Sequence, residues 1–209
     1  MKFFLASTNI TTKLQTHFLS LVGKKFEDIK FALIENAADP YSEDEKGFVY
    51  ETRNTFESLN MQLEIIDLRE YVNNKNDVYD NLKKFDVVWI GGGNVFYLRW
   101  IFKESGLDAV IAKLLNEGTI YGGGSAGAII AGPSLKKFEL VDDINKSPEI
   151  VNTGLSLINL IVIPHWGQKK YQIKLQEIKD YYEATNYNLT TISDDQALLI
   201  NENDQNIYP

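Results

Sequence analysis

Short apolar segments alternate with longer amphipathic segments along almost the whole chain of 209 residues. The apolar segments have the length of strands, and the stretches between them repeat their apolar residues at helical spacing, as at Leu14, Phe18 and Leu21. Strands that alternate with helices pair in parallel through right-handed crossovers. The pattern therefore predicts an α/β fold with a doubly wound, mostly parallel sheet that carries helices on both faces.

The predicted strands lie at 3–6, 28–34, 62–68, 86–90, 119–122 and 157–164, and a last strand and turn lie at 189–201. The run at 157–164 is the most apolar, which is typical of a strand in a sheet that is covered on both faces. Ser42 and Glu45 have the spacing of a capping box at the start of a helix. Only 133–154 lacks a clear pattern, so we expect one domain over 1–209 with an insertion there.

Composition narrows the class of protein. The chain carries 29 acidic and 21 basic side chains, a net charge of −8, which argues against non-specific binding of nucleic acid. It has no cysteine, so disulfides, thiolate metal sites and cysteine nucleophiles are excluded. No apolar run is long enough to span a bilayer, and the first residues lack the apolar core of a secretory signal. We expect a cytoplasmic protein, for which a homodimer is compatible with the sequence.

Glycine-rich and polar sets interrupt the chain where strands are predicted to end. In open parallel sheets, ligands bind beyond the carboxyl ends of the strands, so these sets are the candidates for a site. They are Gly91-Gly92-Gly93-Asn94, Gly122-Gly123-Gly124-Ser125-Ala126-Gly127-Ala128, Pro164-His165-Trp166 and Ser193-Asp194-Asp195-Gln196.

The second set contains Gly-x-Ser-x-Gly, the pattern of a nucleophile elbow, centred on Ser125. Such a serine occupies a strained turn between a strand and a helix, and small neighbours such as Ala126 and Ala128 avoid a clash there. Backbone N–H groups at the start of the helix could stabilise an oxyanion. The other interpretation of the same residues is a glycine-rich turn without chemistry.

The same set also spells Gly122-x-Gly124-x-x-Gly127, the fingerprint of a dinucleotide site. That site needs an acidic residue at the end of the next strand, and Asp142 and Asp143 lie at a suitable distance, but no convincing strand precedes them. The fingerprint usually follows the first strand, which is not the case here. A P-loop is excluded because the chain has no Gly-Lys-Ser/Thr.

A serine nucleophile needs a base, and the chain has only two histidines. His17 lies on the first amphipathic helix, where a surface or boundary position is expected. His165 follows the most apolar strand, at the end of the sheet predicted to carry Ser125, and is therefore the candidate base. Asp194 and Asp195 interrupt an apolar strand, and one of them could orient the imidazole, the alternative being a solvated turn. With two histidines and no His-x-x-x-His spacing, we expect no metal and no cofactor.

The order of these four sets resembles that of the peptidase E (aspartyl dipeptidase) family of serine peptidases, to which cyanophycinase is a more distant relative. The resemblance covers nearly the whole chain. It implies a class I glutamine-amidotransferase-like, flavodoxin-like fold in which serine replaces the cysteine of the amidotransferases.

The resemblance also implies roles for individual residues. Ser125 matches the nucleophile and His165 the base, while Asp194 matches the third member of the triad, with Asp195 as the fallback. The oxyanion hole would use backbone N–H groups of Gly92 or Gly93 and of Ala126.

The chain departs from the family pattern in two respects. Trp166 follows the histidine where Phe or Tyr is expected. No cation is assigned to an acidic first residue of the substrate, although four basic residues are candidates: Arg53, Arg99, Lys169 and Lys170.

The sequence thus favours a serine peptidase that hydrolyses short peptides from their N-terminal side, including peptides that begin with Asp, through an acyl-enzyme. Two alternatives stay open at this point. One is a catalytically silent protein that binds a small ligand with its glycine loops, and the other is a nucleotide-dependent oxidoreductase.

Overall fold

The computed structural model describes residues 1–75, 77–202 and 204–209. Its strands are β1 (Lys2–Ala6), β2 (Lys30–Ile34), β3 (Gln62–Ile65), β4 (Val87–Ile90), β5 (Ile120–Gly124), β6 (Ile161–Ile163), β7 (Leu189–Thr191), β8 (Ala197–Asn201) and β9 (Asp204–Tyr208). Its α-helices are α1 (Gln15–Val22), α2 (Gly47–Ser58), α3 (Asp77–Leu82), α4 (Val95–Ser105), α5 (Leu107–Asn116), α6 (Ala126–Ile130) and α7 (Gln172–Glu183).

Seven strands form the main sheet in the order β3-β2-β4-β5-β1-β8-β9. The first five of these strands are parallel neighbours, whereas β8 and β9 join the edge beside β1 in antiparallel pairing. The carboxyl ends of β1, β4 and β5 therefore meet at one edge of the sheet. The prediction of an α/β fold with a mostly parallel sheet is confirmed.

Strand β1 shows how the sheet separates two apolar layers. Phe3 and Leu5 pack into the layer that includes side chains of α3 to α7, while Phe4 and Ala6 pack into the layer that includes side chains of α1 and α2. All four side chains are buried. Successive residues of a strand point to opposite faces, so a strand covered on both sides is apolar at every position.

The layer under α1 and α2 is built around the fully buried indole of Trp89 on β4. The ring centroids of Phe56 and Phe31 lie 4.9 and 6.1 Å from that of Trp89. A Cβ atom at Gly122 would come within 2.3 Å of the indole, so only glycine allows Trp89 to lie against β5. Truncation of a large buried aromatic side chain to alanine costs roughly 3–5 kcal/mol, so the contact of Trp89 with Gly122 holds β4 firmly against β5.

The run at 157–164 differs from its prediction. Only Ile161–Ile163 forms a strand, β6, and it pairs with β7 in a separate two-stranded parallel sheet rather than in the main sheet. Its side chains are buried because α6 and α7 pack against it. Apolar character predicted the burial of this run correctly but assigned it to the wrong sheet.

The end of the chain also differs from its prediction. The segment expected to be one strand and a turn forms two strands in two different sheets, β7 and β8, and β9 follows as an unpredicted edge strand. Near the start of α2, the Glu45 carboxylate accepts a hydrogen bond from the Ser42 N–H at 2.9 Å, as a capping box requires. That contact closes a 3₁₀ turn over Glu43–Glu45, and α2 begins only at Gly47.

In the part of the chain that the structure describes, none of the helices combines the length and apolar character needed to cross a membrane.

Candidate active site

Ser125 occupies the turn between β5 and α6 with φ 51° and ψ −110°, a positive-φ conformation that is rare for a residue with a side chain. Conformations of this kind cost about 1–3 kcal/mol and persist where the surroundings impose them. Here Ser125 N–H donates to the Ala6 carbonyl at 3.2 Å, and the Ser125 carbonyl accepts from Ala128 and Ile129 at 2.9 and 3.0 Å. The hydroxyl is thereby held at the edge of the sheet, as the elbow pattern predicted.

The glycines of the elbow are required by close approach of the backbone. A Cβ atom at Gly124 would lie 2.1 Å from the Thr8 carbonyl oxygen, and one at Gly127 would lie 2.1 Å from the Ile90 carbonyl oxygen. Both contacts are with backbone, which cannot rotate away as a side chain can. These glycines therefore let the elbow sit directly on the ends of β1 and β4.

The imidazole of His165 lies beside the hydroxyl of Ser125. Its Nε2 lies 2.9 Å from Ser125 Oγ. The residue follows β6, and its own backbone also has a positive φ, 59°. It therefore reaches Ser125 from the two-stranded sheet, and not from the main sheet as predicted.

Asp194 lies on the other side of the imidazole. Its Oδ1 is 2.7 Å from His165 Nδ1, and its Oδ2 accepts from Gln168 Nε2 at 2.5 Å. Burial alone would raise the pKa of Asp194, but hydrogen bonds from Ser7, His165 and Gln168 outweigh it and hold this pKa below its ordinary value. The carboxylate is therefore ionised at neutral pH.

Asp195 does not share this position. Its side chain is about half exposed, at 54%, and its carboxylate pairs with Lys13 at 3.0 Å and accepts from Ser193 Oγ at 2.7 Å. The two aspartates lie in a turn closed by a hydrogen bond from Gln196 N–H to the Ser193 carbonyl, which is the alternative that the sequence leaves open to an interrupted strand. The structure thus brings Asp194, and not the fallback Asp195, into line with His165 and Ser125.

The loop Gly91-Gly92-Gly93-Asn94 lies beside the serine. A Cβ atom at Gly92 would come within 3.2 Å of Ser125 Cβ, and one at Gly93 would lie 2.2 Å from the Ala37 carbonyl oxygen. The Asn94 side chain begins α4 by accepting hydrogen bonds from the N–H groups of Phe96 and Tyr97.

The amides of this loop differ in their partners. Gly91 N–H donates to Ile34, and Asn94 N–H donates to Ala37. Among the backbone hydrogen bonds of the described residues, none is donated by Gly92 or Gly93. These two amides belong to the loop that lines the cleft with Ser125, and they are available to an acceptor.

A cleft of about 410 Å³ joins these elements. Its lining includes Ser125, His165, Asp194, Gly92, Gly93, Tyr41, Phe48, Asp142, Lys170 and Tyr171. Of the four basic candidates, Lys170 lines the cleft, whereas Arg53 pairs with Glu35 and Arg99 pairs with Asp108.

Two polar residues of the site were missed as site residues at the level of the sequence. The sequence pattern offers Asp142 only as the acid of a dinucleotide site, but this residue lies in an irregular segment and its Oδ2 accepts from Val95 N–H at 2.8 Å. Burial raises the pKa of Asp142 to about 6, although the Val95 N–H and Lys146 lower it.

Ser7, directly after β1, contacts both His165 and Asp194. Neither position carries a local sequence signal, because each depends on packing between distant segments.

The other histidine lies in a different environment. His17 on α1 stacks on Tyr208 with ring centroids 4.0 Å apart and is half-buried, which agrees with the boundary position expected for it. Among the described residues, no cluster of three or more histidine, aspartate or glutamate side chains is arranged to hold a metal ion.

Comparison with known proteins gives the family. Residues 4–208 match the sequence profile of peptidase family S51. An uncharacterized peptidase of Pasteurella multocida (strain Pm70) is 29% identical over 160 residues, which are 76% of this chain and 76% of that protein. The protein named peptidase E in Actinobacillus pleuropneumoniae serotype 5b (strain L20) is 35% identical over 154 residues, which are 72% of this chain and 57% of that protein.

Solved structures have the same fold. A crystal structure of a candidate peptidase E protein from Listeria monocytogenes EGD-e superimposes with a TM-score of 0.82 at 23% identity, covering 99% of this chain and 96% of the other. A peptidase from an acI-B1 Actinobacterium superimposes with a TM-score of 0.72 at 19% identity, covering 99% and 86%. Since the family profile spans nearly the whole chain, this protein belongs to peptidase family S51 and is a serine peptidase.

Proposed function

We propose that this peptidase hydrolyses short peptides with Ser125 as nucleophile, His165 as base and Asp194 as the residue that orients the base. The observation that carries the proposal is the row of two hydrogen bonds, 2.9 Å from Ser125 Oγ to His165 Nε2 and 2.7 Å from His165 Nδ1 to Asp194 Oδ1. The ionised carboxylate favours the tautomer with hydrogen on Nδ1, which leaves Nε2 free to accept the serine proton. We treat residues 1–209 as one hydrolytic domain.

The reaction follows from this order of groups. Ser125 Oγ attacks the scissile carbonyl carbon while His165 Nε2 takes the hydroxyl proton. The tetrahedral intermediate collapses when His165 gives that proton to the leaving amine, which breaks the peptide bond and leaves an ester on Ser125. Water, deprotonated by His165, then hydrolyses the ester and restores the hydroxyl.

The negative charge of the intermediate needs donors that are already in place. The amides of Gly92 and Gly93, which donate to no backbone acceptor among the described residues, supply them beside Ser125. The N–H of Ala126, the residue after the nucleophile, is the other donor, as is usual for a nucleophile elbow.

Asp142 offers a site for the N-terminus of the substrate. It is a carboxylate on the wall of the same cleft as Ser125, and it uses one hydrogen bond to Val95, so acceptor capacity remains. A free α-ammonium group is the complementary partner of such a carboxylate. Binding of this kind would select peptides whose N-terminus is free, and would limit cleavage to bonds close to it.

Lys170 is the one cation among the four earlier candidates that lines the cleft. It is exposed, and its Nζ lies 4.4 Å from the centroid of the Tyr171 ring. This position favours Lys170 as the contact for an acidic first residue. The contribution of one exposed charge is small, so the preference for Asp should be moderate.

The Ser125→Ala variant tests the nucleophile. We expect kcat for a dipeptide to fall by a factor on the order of 10⁴, with little change in substrate binding, because the covalent step is lost. Release of amino acids from a panel of Asp-Xaa and Ala-Xaa dipeptides measures this, and labelling with a fluorophosphonate should mark the wild type at Ser125 and not the variant. Near-normal peptidase activity in the variant would exclude the proposal.

The two neighbouring aspartates provide a matched pair for the third member of the triad. Asp194→Asn should lower kcat by about 10³- to 10⁴-fold, because the neutral amide no longer favours the productive tautomer of His165. Asp195→Asn, one residue away and bound to Lys13, should stay within about twofold of the wild type, the level expected for loss of an exposed ion pair. Equal losses in the two variants, or a loss only in Asp195→Asn, would contradict the assignment of Asp194.

Lys170 and its neighbour Lys169 provide a second matched pair. Lys170→Gln should lower kcat/KM for Asp-Leu by about fivefold and leave Ala-Leu unchanged, since one exposed charge pair is worth at most about 1 kcal/mol. Lys169→Gln should change neither value. If Lys170→Gln affects both dipeptides alike, Lys170 does not read the acidic side chain.

The role of Asp142 is tested with a substrate and its N-acetylated form. For a dipeptide amide with a free N-terminus, Asp142→Asn should raise KM by about 10- to 100-fold, the range for a lost hydrogen bond to a charged group. For the same dipeptide amide with an acetylated N-terminus, the variant should not alter the rate. Steady-state kinetics at pH 7.5 measure both. An equal effect on the two substrates would show that Asp142 does not bind the ammonium group.

The stability of the same variant checks that Asp142 titrates as the structure indicates. The pKa of Asp142 is about 6 in the folded protein, against roughly 3.9 for an unperturbed aspartate. Between these two pKa values the folded state binds more protons than the unfolded state does. The protonated Asp142 therefore stabilises the folded state in full below about pH 4, and this stabilisation is lost as the pH rises through 6. Relative to Asp142→Asn, the free energy of unfolding of the wild type in urea should fall by about 2–3 kcal/mol across this interval.

A further inference from the structure

Ser7 is a buried serine directly after β1, and the roles proposed above do not use it. Its side chain is fully buried, and burial of a hydroxyl is unfavourable unless the hydroxyl is hydrogen-bonded. A buried hydroxyl is retained where it makes hydrogen bonds, so its partners indicate what it does.

The partners of Ser7 Oγ are two members of the proposed triad. The hydroxyl lies 2.7 Å from Asp194 Oδ1 and 2.7 Å from the backbone nitrogen of His165, with His165 Nδ1 farther away at 3.4 Å. The ionised carboxylate can only accept and the backbone N–H can only donate. The directions are therefore fixed: Ser7 donates its single hydrogen to Asp194 and accepts from His165.

The contact with His165 acts on a strained backbone. His165 has φ 59°, and a side-chain-bearing residue keeps such a conformation only when neighbouring groups impose it. Ser7 Oγ binds the N–H of His165, and the next amide, that of Trp166, donates to the Ile192 carbonyl at 3.1 Å. These two bonds fix the peptide groups on either side of the imidazole.

Ser7 itself is held between the strands that carry the site. The preceding residue, Ala6, pairs with Gly124 of β5 and with Ala197 of β8. Ser7 N–H donates to the Gln196 carbonyl at 3.2 Å, next to the turn that contains Asp194. A rigid central strand thus places one hydroxyl against the base and the acid at once.

We propose that Ser7 is a positioning residue of the peptidase, whose hydroxyl aligns the His165 backbone and the Asp194 carboxylate so that the imidazole meets Ser125. This inference rests on the proposed function, because it concerns the same three residues. Its hydrogen bond to Asp194 also contributes to the lowered pKa of that carboxyl, where burial acts in the opposite direction.

The experiment compares Ser7→Ala with a hydroxyl-retaining variant, Ser7→Thr, and with a control, Ser105→Ala. Ser105 is also fully buried and bonds the Phe102 carbonyl on α4, where the structure shows no contact with the triad residues. Ser7→Ala should lower kcat by about 10- to 100-fold and leave KM within about twofold, because misalignment by a fraction of an ångström slows the chemical step. Ser105→Ala should leave kcat unchanged, and Ser7→Thr should recover at least a third of the wild-type kcat.

A spectroscopic measurement separates alignment from a general loss of structure. The chain has two histidines, so ¹⁵N-histidine labelling gives two imidazole patterns, and the variant His17→Gln assigns them. The His165 pattern should be that of the Nδ1–H tautomer in the wild type and should shift toward a mixture in Ser7→Ala, while that of His17 stays in place. Thermal unfolding of each variant verifies that it is folded, and Ser7→Cys, whose thiol is a weak donor, replaces Ser7→Ala if the latter is not.

The outcomes are distinct. A folded Ser7→Ala variant with wild-type kcat and an unchanged His165 pattern overturns the proposal, as does an equal loss of kcat in Ser105→Ala. Full activity in Ser125→Ala, measured alongside, would instead show that the proposed function is wrong. Loss of kcat in Ser7→Ala, recovery in Ser7→Thr and a shifted His165 pattern together support Ser7 as the positioning residue.

Discussion

The pairing of β1 with β5 on one side and β8 on the other is the constraint on which the site depends. Because β5 is parallel to β1, it ends at the same edge of the sheet, where Ser125 N–H donates to the Ala6 carbonyl. Because β8 is antiparallel, it begins at that edge, so the turn before it delivers Asp194 there. The pairing of β1 with one parallel and one antiparallel neighbour thus brings together Ser125 and Asp194, which lie 69 positions apart in the sequence. A wholly parallel sheet would have placed the turn before β8 at the opposite edge.

Close packing of backbone at this edge explains why so many small residues occur there. Gly124 and Gly127 allow the elbow to rest on the carbonyl oxygens of Thr8 and Ile90. Gly93 allows the loop beside it to rest on the carbonyl oxygen of Ala37. This packing holds Ser125 in a conformation with positive φ, which would cost about 1–3 kcal/mol in isolation. His165 also has a positive φ, and the hydrogen bonds that its own N–H and that of Trp166 donate to Ser7 and to Ile192 hold it. The two strained residues are therefore fixed by different means, one by packing and the other by polar contacts.

Much of this arrangement is predictable from the sequence, and the failures have clear physical causes. The alternation of apolar and amphipathic segments predicts the parallel part of the sheet, and with it the edge at which Ser125 and the glycine loop meet. Apolar character reports burial but not the partner strand, so it predicts the run at 157–164 in the main sheet, whereas β6 pairs with β7 in a sheet of two strands. Strand β9 is polar and exposed, so it carries no apolar alternation to detect. The positions of Ser7 and Asp142 follow only from contacts between distant segments, which no local pattern encodes.

The charged residues of the cleft indicate which groups of a peptide substrate contribute most to its binding. Asp194 already accepts hydrogen bonds from three side chains, so it has little capacity left for a ligand. Asp142 accepts one bond from the backbone, and its raised pKa reflects a carboxylate that lacks a sufficient partner. An ammonium group would supply that partner in a sheltered position, where charge pairing is strongest. Lys170, by contrast, is exposed, and water competes for its charge. Under the proposed function, recognition of a free N-terminus should therefore dominate, with the first side chain as a weaker influence on the rate.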